Sequence, residues 1–437
     1  MTARTLSVIQ PTSSSTTSSR WQSGTDSLLQ SFLAFPVLAK LIFAEMVNNS
    51  IDQRSSKQRS CSLDYLRATV IILVLFLHTI ACYLPWARFN LADYVHSTAP
   101  IIDMNRSTAF TLLPLLLNGF FMALLFFLSG LFVWRSLDSK GSTYFLKARL
   151  RRLGIPLLIM VAVIMPIAYY PSYLQTGSQE SFFSYWCGWS WISGPAWYLL
   201  VLFGFDLFAA ISFRVVPKSC RRVPGVFIRN PSLFFLVLVL LSGAFFIPMW
   251  ALYGPYQWFE LAPFTIVQAC RIGHYLVYFF AGVVVGAKGL QSTFLVHAGP
   301  LSSHWRAWLL ASLIAAIVLC ISFGEVNIDI AGPWTRPDGW FALGICLVIY
   351  SATLSMAFLA LFLRFVNIRY TWADSLSKNS YAIYIVHYPF VIWTQYLLLS
   401  WSMAAEIKAV VVISVSLGLS WGTSFLFRRI SIVNSFI

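Results

Sequence analysis

The sequence predicts an all-α fold, a polytopic membrane helix bundle of about ten transmembrane helices with both termini cytoplasmic. Three observations predict it. The first is composition: of 437 residues, 58% are hydrophobic and only 10% charged, with a mean hydropathy of +0.74. A soluble domain is about 45–50% apolar and about 25% charged, and surface does not shrink fast enough with size to hide such an excess. The second is that the apolar residues gather into runs near the roughly 20 residues a spanning helix needs. The third is that the basic residues alternate in abundance from one connection to the next.

In chain order, residues 1–60 read as a disordered or interfacial N-terminal extension. Pro11 to Ser19 is a Ser/Thr run of low complexity. The apolar stretch from Leu28 to Ile42 is broken by Pro36 and Lys40 and is short for a span. It lacks the basic leader and cleavage site of a signal peptide, so an interfacial helix is expected there. Met46 offers a later start of translation; activity lost on deleting residues 1–45 would reject that start. Residues 61–428 form the transmembrane domain. Its ten apolar segments run over 65–84, 110–134, 153–170, 195–213, 232–252, 266–287, 307–324, 340–363, 379–400 and 407–427. Residues 429–437 form a cytoplasmic tail.

The charges orient these segments. With the N-terminus inside, the inner connections hold eighteen basic residues, from Arg135 through Arg429, and the outer ones hold four: Arg88, Arg106, Arg336 and Lys408. Cytoplasmic loops carry such an excess of Lys and Arg, which places the protein in the cell membrane as a multi-pass chain. The net charge of +15 is spread between apolar runs rather than gathered in one basic domain, so nucleic acid is not an expected partner. The seven cysteines are scattered without metal-ligand spacing. They read as small buried residues, and no metal site is expected. Aromatic residues crowd the outer connections, Tyr169, Tyr170, Tyr173, Trp186, Trp189 and Trp191 around one of them. Tyr and Trp favour membrane interfaces; the less common alternative is a surface on which sugar rings stack.

Ionisable groups inside spans are costly and usually functional. Here they are Arg67 and His78 on the first segment, Asp206 on the fourth, Arg271 and His274 on the sixth, and His387 on the ninth. The offset of eleven between Arg67 and His78 is three helical turns plus about 20°, so the two share a face about 16 Å apart along the axis. Arginine at the inner edge binds phosphate by charge-assisted hydrogen bonds. Histidine deeper in serves as a general base. Asp206 and Arg271 are expected to pair across two spans, and Asp103, Glu260 and Glu325 are outer acids able to hold acceptor hydroxyls.

Five motifs carry a resemblance. Leu63-Asp64-Tyr65-Leu66-Arg67-Ala68, followed by His78, resembles the Arg-x10-His opening of the acyltransferase family 3 membrane proteins. Phe126-Phe127-Leu128-Ser129-Gly130, Arg149-Leu150-Arg151-Arg152, Pro195-Ala196-Trp197-Tyr198-Leu199 and Ser380-Tyr381-Ala382-Ile383-Tyr384-Ile385-Val386-His387 continue it in order over about residues 61–428. The resemblance implies an O-acyltransferase that moves an acyl group, most often acetyl, from cytoplasmic acyl-CoA to a carbohydrate or similar small hydroxylated acceptor. Acyl-CoA would be a co-substrate, with no bound cofactor. It implies His78 as catalytic base with His387 as a second, orienting catalytic group. Arg67, Arg149 and Arg152 would bind the acyl-CoA phosphates, the last two together from one helix face at i, i+3. Asp64, Ser129, Trp197, Ser380 and Tyr384 are expected to support the site, and Tyr381 to pack. The alternative is a secondary transporter or exporter of a glycan or small anion, but Arg-x10-His has no counterpart in residues 230–428, where a repeated half would carry one. No motif bears on oligomeric state.

Overall fold

The computed structural model describes residues 61–216, 225–254, 258–262, 265–328 and 337–430, with the side chains of residues 258, 260–262, 265–266, 325–328 and 337–339 left aside. The expected N-terminal extension, Cys220, Arg336, the side chains of Glu260 and Glu325, and residues 431–437 of the tail therefore lie outside the description. The chain divides into two units. One is residues 1–48 with 216–223, of which only Val216 is described; the other, residues 49–215 with 224–437, holds every helix below.

The principal helices are α1 (Cys61–Ala81), α2 (Phe121–Gly130), α3 (Val133–Lys140), α4 (Ser142–Arg149) and α5 (Met165–Gln175). They continue with α6 (Trp197–Val215), α7 (Pro231–Tyr253), α8 (Ala269–Ala287) and α9 (Trp305–Ile328). The last three are α10 (Pro337–Phe365), α11 (Thr371–Leu397) and α12 (Ala405–Phe427). Local sequence sets several ends. Asp64 lies in the first turn of α1, where a negative charge favours the helix dipole. Asn230 caps α7 by accepting from the amides of Ser232 and Leu233, with Pro231 at the first helical position, and Gly254 ends that helix at φ 67°.

Among the described residues, nine helical stretches are long and apolar enough to cross a membrane. The segment expected at 379–400 is the 27-residue α11, long enough to span but more polar than the rest. Its polar side chains point inward: Asn379, Ser380, His387 and Gln395 are all buried. Helix α11 packs against α1, α5 and α12, so its neighbours shield that polar face. Helix α1 also packs on α2 and α10, and α8 joins α2 to α7.

Three departures from the expected segments have local causes. The second segment is broken into a short helix, Leu113–Asn118, then α2 and α3. The connection before α8 is a two-stranded antiparallel hairpin, β1 (Trp258–Ala262) and β2 (Thr265–Gln268), a small exception to the all-α reading. The third contains two π-turns, Leu150–Gly154 and Met160–Ile164, between α4 and α5. A π-turn releases backbone carbonyls from the regular ladder, and side chains take them up. Trp189 Nε1 donates to Val161 O at 3.1 Å and Trp186 Nε1 to Ala162 O at 2.8 Å. The Tyr381 hydroxyl donates to Arg152 O.

Helices α2 and α8 meet backbone to backbone. A Cβ at Gly130 would collide with the Phe279 carbonyl, one at Gly282 with the Phe127 carbonyl, and one at Gly286 with the Leu131 carbonyl. Small residues at such positions let membrane helices approach closely.

Candidate active site

Helices α1 and α11 bring His78 and His387 together, their ring centroids 5.5 Å apart and tilted by 38°. His387 is 1% exposed. Its Nδ1 lies 2.7 Å from the Tyr384 carbonyl oxygen. That oxygen can only accept, so Nδ1 carries the proton and Nε2 offers a lone pair. Nε2 is buried without a hydrogen-bond partner. His78 keeps part of its surface accessible, and neither of its ring nitrogens is hydrogen-bonded among the described residues. The Tyr388 ring meets His78 edge-on at 5.0 Å. Helix α1 ends three residues beyond His78, which leaves its last carbonyls without helical donors. The buried Gln395 amide supplies them, donating to His78 O and Thr79 O at 3.0 Å each.

A polar column leads from this pair toward the arginines. The Tyr384 ring stands 5.8 Å from His387 and 5.7 Å from the Tyr198 ring. The Tyr384 hydroxyl donates to Pro195 O, and the Tyr198 and Ser129 hydroxyls lie 2.9 Å apart. Charges on Arg67, Asp206 and Arg149 all act on the Tyr198 hydroxyl. Arg67 lies 3.5 Å from Asp64 and 5.8 Å from the Phe132 ring centroid. Arg149 Nε is 3.1 Å from Asp206, and its guanidinium is 5.1 Å from the Phe145 ring centroid. Arg152 is exposed and stands over the Tyr381 ring at 5.5 Å.

Several expectations are corrected. Asp206 pairs with Arg149 rather than Arg271 because the two expected partners differ in depth. Asp206 lies about 14 Å along the axis from the start of α6, and Arg271 about 3 Å from the start of α8. Arg271 instead donates to Asn118 O at 2.8 Å. Arg149 and Arg152 do not act from one face, because the first π-turn separates them: Arg149 reaches α6 and Arg152 stands over α11. Asp103 is buried in an ion pair with Lys408 at 2.6 Å, so it is not offered to an acceptor. Tyr381 makes a backbone bond as well as packing. Of the supporting residues, Trp197 stacks on Tyr275 at 5.9 Å, and Ser380 bonds back to Ser377 O within its own helix at 2.9 Å. Neither is seen against the histidines.

Tyr198, Tyr388, Gln395 and Tyr65 are site neighbours that sequence reasoning did not single out. Tyr65, inside the first motif, donates to Asp374 at 2.8 Å and accepts from the Tyr370 amide at 3.1 Å, which ties the start of α11 to α1. The Tyr65 hydroxyl, and then Arg369, hold the Asp374 carboxyl below its usual range. Among the described residues no group of three or more His, Cys, Asp or Glu is arranged to hold a metal ion, and Cys61, Cys82, Cys187, Cys270, Cys320 and Cys346 are free thiols.

Comparison with known proteins adds one finding. A family model described as an acyltransferase domain, that of acyltransferase family 3, matches residues 62–429. No curated protein and no solved structure matches the chain.

Proposed function

Since this chain belongs to acyltransferase family 3, we propose that it is a multi-pass O-acyltransferase that moves an acyl group, acetyl in the first instance, from cytoplasmic acyl-CoA to a hydroxyl of a carbohydrate or similar acceptor. The observation that carries this reading is the polar column from Arg67 and Arg149 through Tyr198 and Tyr384 to His387 and His78. Its length along α1, about 16 Å between Arg67 and His78, suits an extended thioester donor with phosphates at one end and the reacting carbon at the other.

In this mechanism the acceptor hydroxyl enters beside His78, the accessible ring. His78 takes its proton as the oxygen attacks the thioester carbonyl carbon. The new C–O bond forms, the C–S bond breaks, and the proton passes to the departing thiolate, giving ester and free CoA thiol. His387, its tautomer fixed by the Tyr384 carbonyl, presents the Nε2 lone pair beside His78 and orients the same hydroxyl. Arg67, Arg149 and Arg152 hold the donor phosphates, Arg67 oriented by Asp64. The loop charges support a cytoplasmic location for both termini and for the arginine end.

The test is purified protein in nanodiscs with acetyl-CoA labelled in the acetyl group and a panel of glycosides. Label appearing in ester linkage on a hydroxyl, with release of CoA thiol, is the expected result. No turnover of acetyl-, succinyl- or longer acyl-CoA by folded protein would reject the reading.

A further inference from the structure

We propose that Asp206 is a positioning residue for the donor phosphates, acting through Arg149. This rests on the acyl-CoA reading above. Asp206 is fully buried at mid-helix in α6, and its partner on the last turn of α4 keeps 20% of its side chain exposed. The contact engages Arg149 through Nε. The two terminal amino groups of that guanidinium make no hydrogen bond among the described residues.

An arginine near the membrane edge, left to itself, snorkels along its flexible stem into the headgroup region. Asp206 prevents this. It holds Arg149 within electrostatic range of the Tyr198 hydroxyl, on which Arg67 also acts. Tethering through Nε leaves the terminal amino pair, the edge that grips phosphate with two parallel bonds. Arg67 is also held by an acid, though through a terminal amino group, Nη2, which lies 3.5 Å from Asp64. The column thus begins with two arginines, each oriented by a carboxylate. The Arg149 charge also balances that of the fully buried Asp206, which keeps the carboxylate tolerable before a ligand arrives. The ligand chemistry is a phosphate ester or diphosphate at the nucleotide end of the donor.

The experiment compares acetyl-CoA with acetyl-pantetheine, which has the same thioester and lacks every phosphate. Wild type, Asp206→Asn, Asp206→Glu and Arg149→Lys are purified and their folding checked by thermal melting. For Asp206→Asn, the ratio of KM for acetyl-CoA to KM for acetyl-pantetheine is expected to rise about tenfold, the worth of one charge-assisted hydrogen bond. Asp206→Glu should restore most of the ratio. Arg149→Lys keeps the charge without the fork and should raise the ratio similarly; it decides the matter if Asp206→Asn does not fold. An unchanged ratio, a fall, or an equal rise in both KM values would overturn the proposal. Wild type that turns over both donors with equal KM would remove the phosphate subsite while leaving acyl transfer intact. Wild type that uses neither would instead reject the acyl-CoA reading on which the proposal stands.

Discussion

Two sets of histidines on the long helices divide the molecule. His274 on α8 lies between α7 and α10, with Nδ1 2.5 Å from the Ser242 hydroxyl and Nε2 3.2 Å from the Ser351 hydroxyl. Both serines are fully buried. His78 and His387 lie between α1 and α11, and of their four ring nitrogens only His387 Nδ1 has a hydrogen-bond partner among the described residues. The difference is one of use. A histidine that commits both nitrogens to serines on neighbouring helices is interhelical glue. A histidine with an unengaged lone pair is free to receive a proton, the role proposed for His78. Counting intramembrane histidines would rank the three alike, whereas their hydrogen bonds separate them.

The sharpest way to break this comparison is to remove each ring in turn. His78→Ala and His387→Asn are each expected to lower transfer of labelled acetyl by about 10²–10⁴-fold, the usual worth of a general base, with melting temperature little changed. Losses below tenfold for both would erase the distinction. His274→Ala should behave in the opposite sense. It leaves two buried serine hydroxyls without their partner, at about 1–3 kcal/mol, so stability falls while turnover per folded molecule stays within about twofold. A variant as stable as wild type but inactive would move His274 into the catalytic group.

The smallest expected effect concerns the contact that seats α11 on α1. The Asp374 carboxyl is held low chiefly by the Tyr65 hydroxyl and then by Arg369. A depressed carboxylate stabilises the fold above its ordinary titration range, and that contribution fades as pH falls through the lowered value. Tyr65→Phe should therefore lower the melting temperature slightly at neutral pH, and the difference from wild type should close as pH falls through the lowered value. Equal melting temperatures at neutral pH would mean the contact does not seat the helix.

Much of the fold was legible because lipid imposes a simple rule: apolar runs of sufficient length become helices. The shared face of Arg67 and His78 followed from helical period alone. The Arg149 partner did not, because depth depends on where α4 and α6 begin, and the π-turns between α4 and α5 leave no clear mark in composition. The meeting of His78 with His387, Tyr388 and Gln395 joins residues more than 300 apart. Only tertiary packing brings them together; the family motif hinted at His387 and was silent on the other two. Helix α11 met the opposite difficulty. The polar side chains that make it informative also lower its hydropathy below that of its neighbours.

The bare contact between α2 and α8 has a consequence for thermal disorder. Main-chain atoms have no rotamers. With Gly130 pressed on the Phe279 carbonyl and Gly282 on the Phe127 carbonyl, the residue beside Gly130, Ser129, is seated by a contact of main chain on main chain. Its hydroxyl meets Tyr198 with little freedom left to lose. The middle of the column is thus ordered when the chain folds, and a ligand arriving there need not supply that order from its own binding energy.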